Sequence, residues 1–318
     1  MKPCETEANL EGESGKGPAL TPHHGGELRS PALGAASTGS KCLFVSPVGA
    51  GAEENIRKIV ARFGHEQFDF LLLVYDDSSY AQDCFSRCRV IRDKQPLFHQ
   101  LKTHLTPELC RRYEYVFVWM DDLDILEFDP QRFLQIVREH RIELAQPSLS
   151  QDSVISHEIV VHRDGRIGRY TDFIEQMAFV FEGRRWERFW KLIRKDENPW
   201  GWGYDELLYA HCGFRRMAII DAEVIRHLRQ GAYHSAARVA RRKLLDELGH
   251  LWVSRKQTLC DVSDRPWHKH VTIPLRLIRH RLFVDLYATP PVYRLRRFIR
   301  ARVRPLLAKR KFVDRSGR

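Results

Sequence analysis

Three carboxylates, Asp121, Asp122 and Asp124, fall within four residues directly after the apolar run Tyr115–Met120. Carboxylates held this close repel one another unless a cation lies among them. Hard divalent ions such as Mg²⁺ and Mn²⁺ favour one or two such groups together with substrate phosphates. An acid-x-acid turn is therefore a natural bridge between a metal ion and a diphosphate. The same acids would serve equally as a solvated loop or a helix cap, so the turn's position matters more than its composition.

Two further groups carry chemistry. The apolar run Phe68–Tyr75 also ends in paired acids, Asp76-Asp77. The segment Trp200-Gly-Trp-Gly-Tyr-Asp-Glu206 interleaves aromatic rings with glycines, so that Trp202 can stack on a sugar or base while the backbone comes close. Asp205 beside it can accept hydroxyl hydrogen bonds or a proton. His227 lies shortly beyond the expected strand Met217–Ile220 and is a reasonable third ligand to a metal already held by carboxylates.

These residues need a sheet to bring them together. Lys41–Gly49 reads as a first strand, Glu53–Phe63 as a helix with Ile56, Ile59, Val60 and Phe63 on one face, and Phe68–Tyr75 as a strand buried on both faces. Helices are expected at Gln95–His104, Pro107–Tyr113, Pro130–His140 and Arg185–Arg194, and further strands at Tyr115–Met120 and Glu143–Gln146. Alternating strands and helices indicate an α/β fold with a mixed, mostly parallel sheet flanked by helices. In such a sheet ligands collect at the carboxyl ends of the strands, where both acid pairs fall. Residues 1–40, rich in Gly, Pro, Ser and Glu, are expected to be disordered; 41–231 form the sheet domain, and 232–318 form a helical, basic extension.

Charge narrows the function classes. The net charge of +11 resides almost wholly in Thr272–Arg318, where 14 Lys and Arg face two Asp. The near-neutral body argues against nucleic acid as a partner. A tail that interleaves Arg with apolar residues suits an anionic membrane surface instead. No phosphate-loop, dinucleotide or nucleophile-elbow motif occurs, and the seven cysteines lack metal-site spacing and are expected to be reduced thiols. Without a signal-peptide pattern the protein is expected in the cytoplasm, peripheral to the inner face of the membrane if the tail binds there.

The stretches Tyr113–Ser150, Thr171–Phe181, Trp200–Leu208 and Ile219–Leu228, taken in order, resemble the family called domain of unknown function 707, itself similar to the GT-A nucleotide-sugar glycosyltransferases. The resemblance runs from about Lys41 to Gln230. It implies a GT-A-like fold, Mn²⁺ or Mg²⁺ as cofactor, a nucleotide-diphosphate sugar as donor and a glycan or lipid-linked acceptor. On matching positions it implies Tyr75, Asp76, Lys102, Asp121 and Trp202 for donor binding, Asp122, Asp124 and His227 for the metal, and Asp205 and Glu175 for catalysis. Met120 stands where the family's motif has its first acid, and Asp124 is an additional one. The same features would also fit a GT-A-like protein that binds nucleotide or glycan without turnover.

Overall fold

A computed structural model describes residues 41–229, 234–248 and 254–262. The expectations for residues 1–40 and for the basic tail after 262 lie outside the described residues. The chain runs β1 (Cys42–Val48), α1 (Glu53–Phe63), β2 (Phe68–Val74), β3 (Arg89–Arg92), α2 (Leu97–His104), α3 (Pro107–Cys110), β4 (Tyr115–Trp119), β5 (Leu123–Asp124) and α4 (Pro130–Glu139). It continues through β6 (Leu144–Leu149), β7 (Gly168–Thr171), β8 (Ala178–Glu182), α5 (Trp186–Leu192), β9 (Met217–His227), α6 (Ser235–Glu247) and β10 (Thr258–Val262).

The principal sheet has the order β10-β7-β9-β6-β8-β4-β1-β2-β3, with β5 paired to β9 off this path. Strands β4, β1, β2 and β3 pair in parallel, as do β6 and β9. Strand β8 runs antiparallel to both β4 and β6, and β7 antiparallel to β9 and β10. The helix-flanked mixed sheet expected from the sequence is thus present, with its parallel character concentrated around β1.

The apolar runs explain the core. Every residue of β1 and β4 is buried, as two-sided covering by helices requires. Helix α1 buries Ile56, Ile59, Val60 and Phe63, and the Phe63 ring stacks on Phe128 while meeting Trp119 edge-on. Burial of each such aromatic ring contributes about 1.5–3 kcal/mol. Helix α4 starts at Pro130 because the Asp129 carboxylate accepts hydrogen bonds from the Gln131 and Arg132 amides. These contacts fix the carboxyl end of β4, where the acidic turn begins.

Two expectations change. The strand expected at Met217–Ile220 continues to His227, so His227 is a strand residue, paired with Leu123 of β5. The ladder with β6 shifts register between Pro147 and Ser148, which lets β9 pass Asp221 without ending. The boundary expected at 231 also does not mark the end of the sheet, because β10 joins it beside β7 and the Ser254 amide bonds the Glu206 carbonyl. Among the described residues no helix is long and apolar enough to cross a membrane, and the described cysteines are free thiols.

Candidate functional site

The acidic turn is held from three sides. Asn55 of α1 donates to the carbonyls of Asp121 and Leu123, both at 2.9 Å, and the Leu228 amide donates to the Asp122 carbonyl. Asp121 is nearly buried, and its Oδ2 accepts from the Gly49 amide and the Tyr75 hydroxyl, each at 3.1 Å. Burial and the neighbouring Asp122 raise its pKa, against the lowering pull of Tyr75, Arg229 and Gly49. Tyr75 responds in kind: burial, the Asp121 charge and the shared hydrogen bond push its phenol up to about 12. Glycine at 49 lets the Tyr75 ring approach this closely, since a Cβ there would lie 2.3 Å from the ring and displace it.

Asp122 faces the other way. Its Oδ2 is 3.4 Å from Nε2 of His227, with the Arg229 guanidinium 4.0 Å off. His227 Nδ1 lies 2.8 Å from the Val154 carbonyl. A carbonyl oxygen can only accept, so Nδ1 carries the proton, and a neutral ring presents the lone pair of Nε2 to Asp122. This is the orientation that second-layer hydrogen bonds give to metal-binding histidines. Burial pulls the imidazole pKa down, but its bonds to Asp122 and Val154 and the charges of Asp122 and Glu175 outweigh this and raise it. A carboxylate oxygen opposite an imidazole lone pair is stable with a proton or a cation between them, so Asp122 and His227 fit a hard divalent ion. Among the described residues no cluster of three His, Cys, Asp or Glu side chains is arranged to hold an ion. The remaining ligands would have to be phosphate oxygens or water.

Glu175 and Asp205 form a second group close enough for their charges to interact. Both are almost wholly buried. The Glu175 amide bonds Gln146 Oε1 at 2.6 Å, and its own Oε2 is buried with no hydrogen-bond partner among the described residues. Burial, then the Asp205 charge, raises the Glu175 carboxyl to about 8. Burial, then Glu206, raises Asp205 to about 7. His227 helps draw Glu175 back down, which ties this pair electrostatically to the Asp122 side of the site.

The segment carrying Asp205 keeps the shape its glycines demand. Gly201 and Gly203 adopt φ of 82° and 91°, a region open to glycine, and a Cβ on Gly201 would lie 2.1 Å from the Phe98 ring. The Asn198 amide side chain donates to the Trp202 carbonyl, fixing the turn that presents Trp202 and Asp205.

Other expected site residues are placed differently. Asp124 lies opposite Arg226 in the β5–β9 pairing, and Arg226 binds its carboxylate at 2.6 Å. It is spent on that cross-strand ion pair and is not grouped with Asp122 and His227. Lys102 turns toward α5, donating to the Trp190 carbonyl at 2.6 Å with its ammonium 3.6 Å from that ring's centroid. It fastens α2 to α5 away from the acids. Asp76 stays at the acid end of the sheet, where it accepts from the amides of Ala50 at 2.6 Å and Ser78 at 2.9 Å. It therefore shapes the loop after β1.

Three further cations at the site are absent from the residues expected from the sequence. Arg229 lies 3.5 Å from Asp121 and is 54% exposed. Arg241 of α6 binds Glu206, its Nε 2.9 Å from Oε1. Lys256 lies 3.1 Å from His157 Nδ1 and 5.1 Å from the centroid of the Phe173 ring, and its charge lowers both Glu175 and Asp205. Burial, with Lys256 and Arg241 nearby, depresses His157 to about 4. Arg229 had one available pointer, its place two residues after His227.

Among solved structures, GalNAc-T7 with UDP, GalNAc and Mn²⁺ is similar at a TM-score of 0.49 and 10% identity, over 66% of this chain and 48% of that one. The S. aureus TarS fragment 1–349 in complex with UDP-GlcNAc is similar at a TM-score of 0.42 and 8% identity, over 65% and 66% of the two chains. TarS of the same organism, in another structure, gives a TM-score of 0.42 and 8% identity, over 65% and 39%. The chain thus spans about half the length of GalNAc-T7. At these values the likeness concerns the path of the backbone, and the chemistry must come from this chain's own residues. No curated protein matches the sequence. The family described as Protein of unknown function (DUF707) matches residues 27–259, which extends past Gln230 to take in Lys256 and the start of β10, and the chain belongs to that family.

Proposed function

We propose that the chain is a metal-dependent glycosyltransferase that moves a sugar from a nucleotide-diphosphate donor to a glycan or lipid-linked acceptor. The observation that carries the proposal is the meeting, at one end of the sheet, of two kinds of acid. Asp122 faces an oriented His227 at 3.4 Å, while Glu175 and Asp205 have pKa values raised to about 8 and about 7. Asp122 and His227 would hold Mn²⁺ or Mg²⁺ against the donor diphosphate, where the ion supplies Lewis-acid stabilisation of the leaving group.

Asp205 is matched to neutral pH as a general base toward an acceptor hydroxyl. Glu175, protonated more readily, would donate a hydrogen bond to the bound sugar through its carboxyl. Trp202 offers a ring for stacking on donor or acceptor, and Tyr75 with Asp121 would shape the wall facing the nucleotide. Arg229 would lie near the diphosphate. UDP and Mn²⁺, with which GalNAc-T7 was crystallised, are convenient probes for a first assay.

Calorimetry of UDP binding with and without Mn²⁺ tests the reading. Wild type should show metal-dependent binding that Asp122→Ala loses; unchanged binding in that variant rejects the metal assignment. The diversion of Asp124 to Arg226 favours a second reading, a nucleotide-binding protein without turnover. Metal-dependent binding with neither donor hydrolysis nor transfer would select it.

A further inference from the structure

The end of the sheet opposite the acids holds a cavity of about 330 Å³, within the size range of small-ligand pockets. Its lining includes Arg138, Arg141, Arg184 and Arg216, with Glu114 and Glu182. Strand register puts these residues at one level: Tyr115 pairs with Glu182, and Leu144 pairs with Met217, the residue after Arg216.

Both carboxylates already have partners. Arg138 binds Glu114 through two hydrogen bonds of 2.8 and 2.7 Å, and Glu182 is bound by Arg184 and Arg185. Arg141 and Arg216 form no ion pair among the described residues. Nearby Glu143 does not satisfy them, since its Oε2 accepts from the Arg215 and Arg216 amides and its Oε1 faces Arg185 and Arg188. The Arg216 charge is felt by Glu143, but among the described residues neither guanidinium beside the cavity has an ion-pair partner of its own.

The backbone gives an independent sign. The Ile142 amide bonds the Val137 carbonyl and the Arg141 amide bonds the Arg138 carbonyl, which closes α4 with a Schellman turn. Residue 141 is the left-handed position of that turn, with φ 49°, where glycine is the usual occupant. An arginine there is held in a costly conformation, and what the cost secures is a guanidinium at the cavity mouth.

We propose that this cavity is a second binding site, separate from the acid end, for a phosphomonoester of a small polar molecule. The dianionic phosphoryl group would be held by Arg141 and Arg216, whose planar donor sets suit bidentate contact with phosphate oxygens. The rest of the cavity accommodates a small polar body. The same phosphoryl chemistry is offered by soluble esters and by a phospholipid headgroup.

The test uses the full chain with three probes: inorganic phosphate, glycerol 3-phosphate and vesicles containing phosphatidic acid. Each is compared with chloride at equal ionic strength, in wild type, Arg216→Gln and Arg141→Gly. Arg141→Gly suits the backbone at its position, so loss of binding there does not reflect misfolding. Binding should weaken roughly tenfold in each variant, the effect of losing a charged hydrogen-bonding pair. Mn²⁺-dependent UDP binding should stay unchanged in both, separating this site from the acid end. Arginine-dependent binding of the two soluble probes identifies a soluble ester, and of vesicles alone a headgroup. Equal affinity in wild type and both variants, or no binding of any probe, overturns the site.

Discussion

The two ends of the sheet use opposite electrostatics. At the carboxyl ends of β4 and β9, acids are buried with too few counter-charges, so Asp121, Glu175 and Asp205 all have raised pKa values. At the other end, Glu114 and Glu143 are met by arginines, and burial of Glu143 is more than offset by hydrogen bonds from the Arg215 and Arg216 amides and by nearby guanidinium charges, so its pKa is lowered. Under-compensated carboxylates favour a cation or a proton; surplus arginines favour an anion. The same sheet therefore places under-compensated acids at one end and an excess of arginines at the other.

The sharpest way to break this comparison is at Asp205. Asp205→Asn should cut transfer by about 10²–10⁴-fold if the carboxylate acts as base, with UDP binding retained in the same preparation. Equal loss of binding would make the residue structural. Next in size is Gly201→Ala, which should destabilise the fold by about 1–3 kcal/mol because the left-handed backbone and the Phe98 ring both oppose a side chain. Thermal unfolding measures it, and an unchanged midpoint would show that the segment carrying Asp205 can shift freely.

A smaller effect follows from pH. Glu175 and Asp205 bind protons more tightly in the folded state than in the unfolded chain. Their contribution to stability is therefore fully present below the ordinary carboxylate range and is lost as pH rises through about 7 for Asp205 and about 8 for Glu175. The melting temperature should drift down across that window, and Glu175→Gln should flatten the drift. Activity should rise over the same interval as Asp205 gives up its proton. At the arginine end the expected change is smallest: Arg141→Gly should raise stability by about 1 kcal/mol by relieving the left-handed backbone. A destabilised variant would mean that the guanidinium contributes more to the fold than the backbone cost.

Much of this was legible in the sequence, for reasons that also mark its limits. Fully apolar runs such as Tyr115–Trp119 announce buried strands, and acids directly after them announce the carboxyl end of the sheet. The strand content of β9 was harder to see, because Asp221, Glu223 and Arg226 interrupt its apolar pattern. Asp221 is neutralised by buried Arg169, a partner 52 residues away that no local pattern can reveal. Asp124 and Lys102 illustrate the converse: each has a chemically suitable side chain, but a nearby partner, Arg226 or Trp190, takes it out of the group. Lys256 carries no local signal because it stands in a polar stretch with no periodicity, and long-range bonds of its neighbours to Glu206 and Asp172, with the pairing of β10, bring it to Glu175 and Asp205.

That pairing has a practical consequence. Strand β10 supplies hydrogen bonds to β7, which is otherwise bonded on one side only, by β9. A chain shortened to residue 231 would leave the free amides and carbonyls of β7 as a template for another chain's strand. Such a fragment should self-associate, which light scattering would show, and it would also lack Arg241 and Lys256 beside the buried acids.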